Sequence, residues 1–204
     1  MKHPGTPLLG VSRETSDRLA AFAELVLQWN KTVNLVSRRD EEFLWSRHIE
    51  DSLGLIPALP TASGDAIDLG SGAGFPGMVL AIATGRLFHL VESDQRKASF
   101  LREAARVTGA PVRVHTVRAE AVDLPLASLV TARALARLDT LLTYAIRLLA
   151  PGGVCLFPKG RSVEDELTEA SARWQMRVER LPSSTDPQAS ILRIGEISRV
   201  RPGS

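Results

Sequence analysis

A chain of 204 residues, 44% hydrophobic and with a formal net charge of only +2, fits one domain with a modest extension and an ordinary apolar core. No window reaches the uninterrupted apolar length of a membrane span, and the opening residues Met1 to Gly10 lack the apolar centre of a signal peptide. The lone Cys155 excludes an intramolecular disulfide framework and anchors no metal by itself.

The expectation is a cytoplasmic protein without metal or membrane partner. Its basic residues are arginines apart from Lys2, Lys31, Lys97 and Lys159, a bias that suits phosphate recognition and a GC-rich genome equally. Residues 1–12, rich in Gly and Pro, are expected to be disordered or loosely draped. From Arg13, apolar Leu19, Phe22, Val26 and Trp29 recur at three and four, predicting an amphipathic helix with one buried face. A second helix is predicted from Asp40 as N-cap through Phe43, Leu44, His48 and Leu53, closing before Pro57. Residues 13–60 thus form a helical cap ahead of a single unit over 61–204.

From Asp65 strands and helices alternate. Strands are predicted to end at Leu69, to lead to Glu92, and to run over Val112–Val117, Ser128–Ala132 and Val154–Phe157. Helices are predicted from Pro76 to the Gly85 stop, from about Asp94 to Val107, from Asp139 to Leu149 before Pro151-Gly152-Gly153, and from Ser162 through Trp174. Two extended runs, Met176 to Leu181 and Ser190 to Ile197, flank the polar turn Ser183 to Pro187. This alternation predicts an α/β fold, a mostly parallel sheet covered on both faces, with a terminal hairpin that brings it to seven strands.

The densest signal is Ala66 to Gly77, where an apolar run climbs into Asp68 and then Gly70, Gly72 and Gly74. It reads as a buried strand feeding a tight turn, with Pro76 at the first position of a helix. The dinucleotide fingerprint is G-x-G-x-x-G, whereas here Phe75 stands in place of its third glycine. A ring there would crowd a pyrophosphate and suits a smaller nucleoside cofactor. Glu92, at the end of Leu87-Phe88-His89-Leu90-Val91, offers a carboxylate for both ribose hydroxyls. The combination resembles the S-adenosylmethionine (SAM) site of class I methyltransferases, a Rossmann-like fold whose sheet ends in an antiparallel hairpin.

The resemblance extends further. Trp29-Asn30-Lys31 with Asn34-Leu35, Arg47-His48-Ile49 with Asp51-Ser52, the Asp68 to Gly77 turn and Arg133-Ala134 are similar to the signatures of the bacterial small-subunit ribosomal RNA guanine-N7 methyltransferases, also called glucose-inhibited division protein B. The similarity runs in order from about Arg13 to Gly160. It implies SAM-dependent methylation of one guanine in the decoding-region loop of 16S rRNA, by a monomer acting on the 30S subunit or its precursor, with S-adenosylhomocysteine as coproduct. It further implies cofactor contacts at Gly70, Gly72, Gly74 and Phe75, a ribose-binding acid at Glu92, an adenine-reading pair at Ala119-Glu120, and Arg133 against cofactor and incoming base. Thr131-Ala132 stand where many relatives carry a serine. Other readings of the same residues are a methyltransferase of another RNA and a SAM-binding ribosome-assembly factor without turnover.

Guanine N7 carries an in-plane lone pair and no proton, so its methylation needs alignment rather than a general base, and no acid–base dyad is assigned. His48 reads either as an RNA contact beside Arg47 or as part of a hydrogen-bonded knot with Asp51 and Ser52, the structural role being favoured. Asn34 and Ser37 either approach the guanine or turn the chain after the first helix. Arg38 and Arg39 are RNA candidates, and Lys159, after the fifth strand, is read as a phosphate contact. Arg96 and Lys97 open a helix, held by a ligand or a nearby carboxylate or simply exposed. Trp29, Phe43 and Trp45 are read as packing residues rather than base-stacking platforms.

Overall fold

The computed structural model describes residues 10–62 and 64–200, so most of the stretch expected to be draped loosely lies outside it. Ser12 opens the first helix, α1 (Arg13–Asn30), its hydroxyl oxygen accepting from the Thr15 N–H. Leu19, Phe22, Ala23 and Val26 form the buried stripe, which packs on the helices α4 (Gly77–Thr84) and α5 (Gln95–Thr108) that follow the first two strands. The aromatic rings Phe22, Phe75, Phe100 and Trp29 interlock there at centroid distances of 5.5–6.2 Å.

The single helix expected from Asp40 is instead broken into short pieces. These are α2 (Arg38–Glu41), a π-helical turn (Trp45–Glu50), α3 (Asp51–Leu53) and a 3-10 turn (Ile56–Ala58). Ser37, not Asp40, is the N-cap, accepting from Asp40 N at 3.3 Å and donating to its Oδ2 at 2.6 Å. The spacing of the buried residues explains the break. Leu44 and Ile49 are both fully buried and five apart, so a wider i→i+5 turn keeps both facing inward.

The sheet has seven strands in the order β3-β2-β1-β4-β5-β7-β6. They are β1 (Ala66–Leu69), β2 (Phe88–Val91), β3 (Val112–His115), β4 (Ala127–Ala132), β5 (Leu149–Lys159), β6 (Trp174–Pro182) and β7 (Ser190–Arg199). β1 to β5 are mutually parallel, and β7 runs antiparallel to β5 and β6. One face, with Phe88, Leu90, Leu129 and Leu156, belongs to the core under α1, α4 and α5. The other, with Ile67, Leu69, Val130 and Phe157, is covered by α6 (Leu138–Ala145) and α7 (Val163–Ser171). Cys155 is buried in β5 among this second set. This is the Rossmann-like architecture of class I SAM methyltransferases.

Several boundaries differ from expectation, three of them with a visible structural context. Pro76 sits one residue ahead of α4 rather than on its first turn. Helix α6 stops at Ala145, because Pro151-Gly152-Gly153 enters β5 as a bulge: the register with β4 jumps from Ala127↔Leu149 to Leu129↔Val154. Trp174 begins β6 instead of ending α7, buried beneath the Arg199 guanidinium 3.9 Å from its ring.

Candidate functional site

The strand order reverses between β1 and β4, and in open α/β sheets a crevice forms at the carboxyl ends beside that reversal. Two adjoining cavities lie there. The smaller, about 530 Å³, is lined by Gly70–Ala73 and Phe75 after β1, Glu92 after β2, Ala119-Glu120 after β3 and Arg133–Ala136 after β4. The larger, about 890 Å³, continues past Arg133 to Lys159 and Gly160 after β5, to Arg47, His48 and Asp51 of the cap, and to the β6–β7 turn. Asp40, His48 and Arg133–Ala136 are shared by both, and so form the wall between them.

The floor of the smaller cavity is the glycine turn. Gly72 has φ +53°, and the nearest atom to an added Cβ would be the Gly70 carbonyl oxygen at 3.8 Å, so the backbone is bare toward the cavity. Glu92 is buried with both oxygens placed: Oε2 accepts from Gly72 N at 2.8 Å and Oε1 from Asp94 N at 2.7 Å. Asp94 in turn caps α5, accepting from the Arg96 and Lys97 N–H groups, and Lys97 lines the cavity whereas Arg96 is exposed. Beneath the turn, Asp68 is fully buried; its Oδ1 accepts from Thr131 at 2.6 Å while Oδ2 has no hydrogen-bond partner. Burial pushes its carboxyl up to about 6, against the opposing Thr131 hydroxyl. The Ala119 carbonyl accepts from Arg147 at 2.7 Å.

The dividing wall is a stack. The His48 ring lies on Phe75 with centroids 4.9 Å apart and planes 21° from parallel, and its Nδ1 faces the Arg133 guanidinium. Burial and the Arg133 charge lower the imidazole to about 4. His48 is therefore neutral, with Nδ1 as acceptor and a buried Nε2 that meets no partner. Arg133 also donates to Asp51 Oδ2 at 3.3 Å, and Asp51 Oδ1 accepts from Ser183 at 3.2 Å and Thr185 at 2.8 Å. One carboxylate thus ties the cap, the loop after β4 and the C-terminal hairpin together.

Some expected site residues stand elsewhere. Asn34 is exposed and lines neither cavity; the chain is turned by Asn30, whose Oδ1 accepts from Leu35 N and Val36 N and whose Nδ2 donates to Val36 O and Glu41. Arg38 is exposed on α2, outside both linings. Arg47 lines the larger cavity and pairs with Asp40 at 2.9 Å. Lys159 lines it too, but its ammonium is buried, bonded to Glu166 at 2.7 Å and the Ala136 carbonyl at 3.1 Å. Its charge is matched inside the protein, which corrects the reading of a cation waiting for phosphate. Among the described residues no cluster of His, Cys, Asp and Glu could hold a metal ion, and no helix is long and apolar enough to cross a membrane.

A family model described as rRNA small subunit methyltransferase G matches residues 15–192. The chain belongs to the rRNA small subunit methyltransferase G family. Members from Granulibacter bethesdensis and Gluconobacter oxydans are 59% and 54% identical, over 94% and 93% of this chain and 90% and 98% of theirs. Solved structures share the fold at low identity. A ribosomal protein L11 methylase from Lactobacillus delbrueckii gives a TM-score of 0.57 at 18% identity, covering 76% of this chain and 79% of its own. An MtNAS mutant in complex with S-adenosylmethionine gives 0.58 at 16%, covering 88% and 75%. The chain is accordingly a small-subunit rRNA methyltransferase by family. Sequence reading missed Ser183 and Thr185 of this family member: only the fold brings them to Asp51, 132 and 134 positions away.

Proposed function

We propose that the chain transfers the methyl group of SAM to N7 of a guanine in the decoding-region loop of 16S rRNA, as a cytoplasmic monomer acting on the 30S subunit or its precursor. The observation that carries this reading is the junction of the two cavities at His48 and Arg133, a nucleoside-sized space on one side and a wider opening on the other. The smaller suits SAM. The bare glycine turn with Phe75 would border the methionine moiety, Glu92 has lone pairs left for the ribose hydroxyls, and the Ala119 N–H and Glu120 face the adenine end. SAM bound there supplies an electrophilic methyl: the N7 lone pair bonds to its carbon as the carbon–sulfur bond breaks, leaving neutral S-adenosylhomocysteine and a cationic 7-methylguanine ring.

The residues at the junction fit a reaction without proton removal. His48 is no base, because its Nδ1 is occupied by Arg133 and its affinity for a proton is suppressed. Its neutrality also spares the site a second cation where positive charge passes from sulfur to the purine. Arg133 brings one such charge, and Asp51 balances it. What remains is alignment of a base drawn out of its helix.

The test is transfer of labelled methyl from SAM to 30S subunits and naked 16S rRNA from cells lacking this protein, with modified nucleosides mapped. A single 7-methylguanosine in the decoding-region loop is expected. No incorporation by a preparation that binds SAM would overturn the reading in favour of another acceptor or a non-catalytic role.

A further inference from the structure

The cap carries one aromatic side chain that the core does not use. Phe43 is 51% exposed and is the only aromatic among the exposed large apolar residues of the described chain. Its neighbours behave differently: Leu44 is fully buried, and Trp29 and Trp45 pack against the core. The Arg47 guanidinium lies 5.6 Å from the Phe43 ring centroid and is fixed there by Asp40 Oδ1 at 2.9 Å. Hydrogen bonds from Ser37 and Arg47 hold the Asp40 carboxyl below its usual range, so this pair stays charged. Asp40, Arg47 and His48 all line the larger cavity. Arg47 thus stands on the lining of that cavity with the exposed Phe43 ring beside it, just outside the lining, and Arg38 and Arg39 are exposed on the short helix just before them.

We infer that Phe43, backed by Arg47, is a stacking platform for an unpaired nucleobase adjoining the one that enters the larger cavity. The inference rests on the rRNA reading above. Splayed single-stranded bases are held by stacking on aromatic rings and guanidinium planes, and an aromatic ring accepts any base because every base has a π-face. The Arg47 cation on the ring strengthens such a stack and keeps the side chain in one orientation before RNA arrives. Arg38 and Arg39 are placed to meet the phosphates flanking a base so held. A packing role for Phe43 would bury its ring, and half of it is open.

Kinetics of methyl transfer to unmodified 30S subunits at saturating SAM provide the test. Phe43→Leu should raise KM for the subunit about tenfold, in the range expected for losing one base–aromatic stack. Its kcat, SAM affinity and melting temperature should match the wild type, and Phe43→Trp should restore KM. A Phe43→Leu enzyme with wild-type KM, or a Phe43→Trp enzyme impaired as badly as Phe43→Leu, overturns the platform. Replacing Phe43 with photoreactive benzoylphenylalanine reads the contact directly. A cross-link to the nucleotide adjoining the methylated guanine is expected, and one confined to a ribosomal protein overturns the proposal. A wild-type chain that binds SAM but methylates no subunit fails the rRNA reading itself and the platform with it, whereas normal methylation with Phe43→Leu unaltered fails the platform alone.

Discussion

A Cβ on Gly70 would come within 2.7 Å of Leu135 Cδ1, so the loop after β4 and the glycine turn after β1 are built against one another. Ala134, between Arg133 and Leu135, holds φ 53°, a left-handed conformation that costs a non-glycine residue about 1 kcal/mol and aims its neighbours at the two cavities. Gly72 differs from Gly70 in having open space where a side chain would go. A substitution there projects into the cavity rather than into the protein, beside the Glu92 oxygen that accepts from the Gly72 N–H. Gly72→Asp should therefore weaken SAM binding on the order of a hundredfold by calorimetry, through like charge and blocked space. The positive φ should lower the melting temperature by only a few degrees. Wild-type affinity in a folded Gly72→Asp protein would take the turn out of the cofactor site.

At the level of elements, the loop from Arg133 to Leu138 is held from outside by α7. Glu166, near the start of that helix, accepts from Lys159, Ser162 and the Leu138 N–H; burial works against its charge, yet these partners keep its carboxyl below the usual range. Breaking a buried pair by removing one partner is costly because the other charge is stranded. Lys159→Met should thus lose about 3 kcal/mol in urea unfolding, the double variant with Glu166→Gln should recover part of it, and the salt slope of RNA binding should stay unchanged. Full stability with a shallower salt slope would return Lys159 to the role of a phosphate contact. This is also where sequence legibility ends. The glycine turn, Glu92 and the strand alternation could be read because each depends on local spacing or a period of two or 3.6. The π-helical turn could not, since its five-residue spacing of Leu44 and Ile49 passes for helical drift. Nor could the Lys159–Glu166 pair or the tie from Asp51 to Ser183 and Thr185, because sequence shows which groups are polar but not which ones meet.

For the whole molecule, the buried Asp68 and the half-buried His48 set opposing responses to acid. Asp68 is raised to about 6, so the folded state takes up a proton there before the unfolded chain does, and this contribution to stability is present below 3.8 and lost as pH rises through 6. His48 is lowered to about 4, so its contribution is present above 6.5 and lost as pH falls toward 4. Between these limits folded and unfolded states each gain about one proton from the pair, and the two effects largely offset. His115, lowered by burial and by His89, leans the balance slightly toward loss of stability in acid. His48→Gln removes one side of the balance. Relative to wild type, the variant should become progressively more stable as pH falls from 6.5 to 4.5. The slope is at most about 1.4 kcal/mol per pH unit, and less here because the ring is only partly buried and solvent screens it. Thermal melts of both proteins across that window check the sign: parallel curves would mean that His48 titrates like a free histidine, and that Arg133 does not hold it neutral over the junction of the two cavities.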